Sequence, residues 1–115
     1  MNKKVLIVED SQLMQHRWHR DLGGKFVLIG ALSIEEAEEK FIANPDIDAI
    51  VMDACVPGDS INTLPLVRKF RRTFAGPMIA ISSSSEYRDM LVSAGCNYES
   101  SKDALPRRLL AILDL

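Results

Sequence analysis

Cysteine is scarce in this chain, with only Cys55 and Cys96 present. Their spacing matches no zinc or redox motif, and nothing in the sequence suggests a disulfide between them. Two reduced thiols in a cytoplasmic protein is the reading that follows. Long hydrophobic runs are also missing. Crossing a bilayer takes ~20 consecutive apolar residues, and the N-terminal MNKKVLIVED reaches acids too soon to read as a signal peptide. There is no excess of charge of either sign. The 16 acids and 14 bases leave a net charge of -2, which gives no general electrostatic attraction to nucleic acid and argues against DNA binding by this chain. No linker, low-complexity tract or clear repeat interrupts the 115 residues. That length suits one domain, 1–115, around one core.

What is present is an alternation of short apolar runs and amphipathic segments. Lys4 to Glu9 (KVLIVE) is too short for a helix, and its unbroken apolar character predicts a strand buried on both faces. Met14, Trp18 and Leu22, spaced by four, predict one stripe of a helix that Gly23 and Gly24 end. Phe26 to Ile29 is a second strand. Ser33 with Glu36 forms a capping box for a second helix, whose apolar positions are Ile34, Ala37, Phe41 and Ile42 and which Asn44-Pro45 closes. Ala49 to Met52 is a third strand, ending at Asp53. A helix from about Thr63 to Phe74 carries Pro65 in its first turn. Met78 to Ile81 is the fourth strand, and Ser82 to Ser85 lead into a helix ended by Gly95. Cys96 to Glu99 is a short fifth strand, and a last helix runs from about Asp103 or Leu105 to Leu113. Five β-α units in series imply a doubly wound parallel sheet with helices on both faces, which binds ligands at the carboxyl ends of its strands.

Those strand ends carry the chemistry. Glu9 and Asp10 follow the first strand, Asp53 ends the third, Ser82 follows the fourth and Lys102 follows the fifth. Three neighbouring carboxylates repel one another unless a cation offsets them, and a hard, oxygen-liganded divalent ion such as Mg²⁺ suits them. A carboxylate can act as a nucleophile toward phosphorus. The metal and Lys102 would then offset charge on the transferring group, with Ser82 donating a hydrogen bond to it.

With VLIVEDS at 5–11, DAIVMDACVPG at 48–58, PMIAIS at 77–82, SAG at 93–95, and Lys102 with Pro106 and Leu109-Leu110, the chain resembles response-regulator receiver domains over nearly its whole length. The resemblance implies a flavodoxin-like (βα)5 fold with strand order 2-1-3-4-5. It makes Asp53 the phosphoacceptor, and makes Glu9, Asp10, Asp53 and the backbone carbonyl of Cys55 the Mg²⁺ ligands. It makes Ser82 the switch hydroxyl and Lys102 the lysine that pairs with the phosphoryl group. The partners it implies are a sensor histidine kinase or phosphotransfer protein and a downstream protein target, with a phosphorylation-dependent homodimer as a further option. DNA, membrane and turnover of an external substrate are not implied.

The pattern departs from the family in three places. Lys102-Asp103 stands where a lysine-proline pair is usual. Glu99 stands at the position of the usual switch aromatic, with Tyr98 one residue earlier and facing the other way on a strand. Either the loop shifts by one residue and Tyr98 takes the role, or, as is slightly favoured, output uses no aromatic rotamer change. The segment after Pro57, with DSINT in place of a glycine-containing turn, is about two residues longer than usual. A same-fold binding module that is never phosphorylated is the alternative function. A phosphatase of related architecture is disfavoured, because the first strand ends Glu-Asp-Ser and not in a D-x-D pattern. The bland readings are Ser83 or Ser84 as a helix cap, Cys55 as a bystander, His16 and His19 on the surface, Trp18 at the edge of the core, and Arg68, Lys69, Arg71 and Arg72 as a solvated basic face.

Overall fold

A computed structural model of the chain describes residues 2–113. Ten elements alternate along it: β1 (Lys3–Val8), α1 (Gln12–Leu22), β2 (Phe26–Ala31), α2 (Ile34–Ala43), β3 (Ala49–Asp53), α3 (Leu64–Arg71), β4 (Met78–Ile81), α4 (Ser85–Ala94), β5 (Tyr98–Ser100) and α5 (Leu105–Ile112). The strands form one parallel sheet in the order β2-β1-β3-β4-β5. The expected fold class and strand order both hold.

The apolar runs lack alternation because both sheet faces are covered. Val5, Ile7, Ala49, Val51, Ile79 and Ile81 pack with Trp18, Leu22, Leu105 and Leu109 from α1 and α5. Leu6, Val8, Ile50, Met52, Met78 and Ala80 face the other layer, with Ala37, Val67, Phe70 and Leu91 from α2, α3 and α4. Trp18 is fully in the core, not at its edge. Side-chain caps start three of the helices: Ser11 accepts from the Met14 amide, Ser33 from Glu36 and Ser84 from Tyr87, as expected where helix ends leave amides unpaired.

The structure corrects several boundaries and placements. β5 begins at Tyr98, not Cys96. The Gly95 and Cys96 amides still bond to the Leu91 carbonyl, and Cys96 is a buried plug whose thiol burial pushes up to about 12. α3 stops at Arg71, with Thr73 and Phe74 in the turn that follows. Ile42 lies off the buried face of α2 and is 78% exposed. Arg71 is no solvated base: it donates to the carbonyls of Gly95, Phe74 and Gly76 at 2.9, 2.9 and 2.7 Å. Gly95 has φ +149°, and a Cβ there would lie 2.9 Å from the Arg71 side chain, so this staple depends on glycine. His16 is exposed, while His19 is half-buried with its ring bonded to the Gln15 carbonyl.

Candidate functional site

β1 and β3 are neighbours at the centre of the sheet, so the residues at their carboxyl ends meet. Carboxylate oxygens of Glu9, Asp10 and Asp53 all lie within 4.8 Å of one another. Glu9 is 0% and Asp53 4% exposed. Lys102 reaches over from the loop after β5, placing Nζ 2.7 Å from Glu9 Oε1 and 3.4 Å from Asp53 Oδ2. The shorter contact is an ion pair without hydrogen-bond alignment, for Glu9 Oε1 has no hydrogen-bond partner. Glu9 Oε2 accepts from the Ser11 amide at 3.2 Å.

Three carboxylates share a single ammonium, and the electrostatics reflect it. Burial, with the nearby Asp53 charge, lifts the Glu9 carboxyl above its usual range against the opposing pull of Lys102. Burial and Glu9 lift Asp10 in the same direction. Burial works against the charge on Lys102, but Glu9 and Asp53 outweigh it and raise the ammonium's pKa. Removing like charges from water together is costly unless a cation joins them. The donor set is all oxygen and holds three carboxylates against one ammonium, so it fits a hard divalent ion such as Mg²⁺.

The acids open into a cleft of about 490 Å³ lined by Asp10, Asp53, Cys55, Ser82 and Lys102, with the β3–α3 loop and the start of α4 forming its far wall. Ser82 directly follows Ile81, the register partner of Asp53. It is 6% exposed, and its hydroxyl accepts from the Ser84 amide at 3.1 Å. Ser84 caps α4, so capping does not occupy Ser82. Cys55 is half-buried, and burial together with Asp53 and Asp59 pushes its thiol up, away from the reactive thiolate. Glu9, Asp10, Asp53, Ser82 and Lys102 therefore come together at one sheet edge, and Cys55 lines the same cleft.

The loop after Asp53 is held by residues that no sequence pattern singled out. Thr63 is fully buried and its hydroxyl donates to the Asp53 carbonyl at 2.7 Å. Asn62 brackets Val56, accepting from its amide at 2.8 Å and donating to its carbonyl at 3.0 Å. The DSINT segment thus ends in two side-chain clamps. Asn and Thr just before a helix hint at local backbone bonding. Arg88 bonds the Ser82 carbonyl at 2.6 Å and Glu99 Oε1 at 2.9 Å. A charged pair at residue 99 therefore stands where the family pattern has an aromatic. Tyr98 is 37% exposed beneath Arg108. Val56–Pro57 is the cis peptide among the described residues, and the Lys102–Asp103 bond is trans.

Solved structures share this architecture. A two-component response regulator from Clostridium difficile superposes with TM-score 0.83 at 20% identity, covering 98% of this chain and 97% of that one. A response regulator signal receiver domain from Bermanella marisrubri gives 0.80 at 19%, covering 98% and 99%. The fold of this chain is that of a response-regulator receiver domain. The N-terminal domain of a nisin resistance regulator, described as a lantibiotic response regulator, has the same receiver fold, at TM-score 0.81 and 25% identity over 98% of this chain and 99% of that one. No protein-family model and no curated protein matches the chain. No helix among the described residues is long and apolar enough to cross a membrane.

Proposed function

We propose that this chain is one receiver domain, 1–115, of a cytoplasmic two-component system and that Asp53 accepts a phosphoryl group. The donor is a phosphohistidine on a sensor kinase or phosphotransfer protein. The observation that carries this reading is the convergence of Glu9, Asp10 and Asp53 within 4.8 Å under the Lys102 ammonium.

An Asp53 carboxylate oxygen bonds to phosphorus as the bond from phosphorus to the histidine nitrogen breaks, and that electron pair stays on the imidazole. Lys102 offsets charge on the phosphoryl oxygens, and Ser82 donates a hydrogen bond to one of them. Glu9, Asp10, Asp53 and the Cys55 carbonyl would hold Mg²⁺, which supplies a further positive charge and a template for the phosphoryl oxygens. The chain assists its own phosphorylation and hydrolysis and turns over no external substrate. Output goes to a protein target, or to a second phosphorylated copy, through the face made by α4, β5 and α5. It involves neither DNA nor membrane.

Incubation with Mg²⁺ and acetyl phosphate tests the reading by intact-mass spectrometry. The expected result is one alkali-labile phosphoryl group per chain, absent from Asp53→Asn and from samples with chelator. Failure of every phosphodonor in the presence of bound Mg²⁺ would favour the binding module that is never phosphorylated. Multiple turnover of phosphate esters would favour a phosphatase.

A further inference from the structure

Gln15 is a buried polar residue on the core-facing side of α1, 7% exposed, one turn before Trp18. A buried amide costs stability unless it is hydrogen-bonded. Its Nε2 donates to the carbonyls of Ile7 at 2.9 Å, Glu9 at 3.1 Å and Ala31 at 3.4 Å. These carbonyls lie where β1 and β2 stop pairing: the last strand-to-strand bond runs from the Glu9 amide to the same Ala31 carbonyl. The amide therefore adds a side-chain rung just past the ladder, at the residue that carries the first acid of the site. Its other end is unsatisfied, because Gln15 Oε1 has no partner. Turning the amide over would set that oxygen against three carbonyls. The side chain is held there for its donors.

Room for it is built into the neighbouring strand. A Cβ at Gly30 would stand 2.8 Å from Gln15 Oε1 and 3.1 Å from its Cδ. Any larger residue at 30 displaces the amide while leaving the backbone alone. Gln15 and Gly30 thus act as a matched pair behind the acids. Ser11 fixes the other side of Glu9 through its amide.

We infer that Gln15 is a positioning residue for the cation site: it fixes the Glu9 backbone, and so the angle at which Glu9 and Asp10 meet Asp53, within the space that Gly30 leaves. The inference rests on the metal reading proposed above. Groups that orient metal ligands are worth roughly 10–100-fold in affinity. Calorimetric titration with MgCl₂ tests it. Gln15→Met keeps the volume and removes the N–H donors, and it should weaken Mg²⁺ binding by about 10-fold or more. Gly30→Ala should weaken it in the same direction, and the double variant should be no worse than the weaker single, because both act through one amide. Urea unfolding in chelator separates this from general damage. Variants that lose stability but bind Mg²⁺ within about twofold of the parent would make Gln15 merely structural and overturn the inference alone. A parent chain that takes up no Mg²⁺ would overturn the metal reading and this inference with it. Should Gln15→Met fail to fold, Gly30→Ala decides the matter in its place, since the added Cβ meets only the flexible end of a side chain.

Discussion

Acids gather at both ends of the β1–β3 pair, and the two ends treat them differently. At the amino end, Asp46 pairs with the Lys4 ammonium at 2.7 Å and Asp48 accepts from the Lys4 amide at 2.8 Å, both acids exposed and Lys4 half-buried. Lys4 holds the Asp46 carboxyl below the usual range. At the carboxyl end, buried Glu9 and Asp53 share the Lys102 ammonium, half-buried Asp10 lies beside them, and Glu9 and Asp10 are pushed up. The amino end is a finished surface clamp. The carboxyl end is short of positive charge, and on the reading proposed above that deficit is what a divalent cation fills.

The largest expected effect is stabilisation by Mg²⁺. At 100 times its dissociation constant the ion should add about 2.7 kcal/mol, which for a domain of this size raises the melting temperature by roughly 4 °C per kcal/mol. Differential scanning calorimetry checks it, and Asp46→Asn should leave the increment intact. Next comes Asp10→Asn. It should remove the Mg²⁺ increment and make the metal-free chain more stable, on the order of 1 kcal/mol, by relieving repulsion at Glu9. Urea unfolding in chelator reads both.

Acid sharpens the contrast, because the two ends have opposite signs. Glu9 and Asp10 ionise less readily folded than unfolded, so each costs stability at neutral pH. That cost fades as pH falls through the raised folded pKa toward the ordinary values of 4.5 and 3.8. Asp46 contributes stability that is present above its unfolded value of 3.8 and lost as pH falls through its lower folded pKa. Urea midpoints in chelator, from neutrality downward, should therefore fall less steeply for the parent than for Glu9→Gln. The smallest effect belongs to Lys4→Ala, which removes an exposed pair of the kind that contributes little. It should leave Mg²⁺ affinity unchanged.

The order of elements was legible because a doubly covered sheet demands unbroken apolar strands, and VLIV, AIVM and MIAI supply them. β5 was misplaced by two residues because a peripheral strand of three residues has too little apolar signal to fix its start. Cys96, the apolar residue nearby, fills the end of α4 instead. Glu9, Asp10, Asp53, Ser82 and Lys102 were legible because strand ends in this topology converge. Gln15, Asn62, Thr63 and Arg88 were not. Each acts on a carbonyl or amide left open by tertiary structure, and no periodicity announces which backbone groups those will be. Arg71 looked solvated in the sequence for the same reason.

On the proposed reading the carboxyl end of the β1–β3 pair, and not the amino end, holds a divalent cation. An amide NMR titration of the ¹⁵N-labelled chain with MgCl₂ tests it most directly. Saturable shifts are expected at Glu9, Asp10 and Asp53 through Cys55, with Lys4, Asp46 and Asp48 unmoved. Shifts confined to the amino end, or none that saturate, would contradict it.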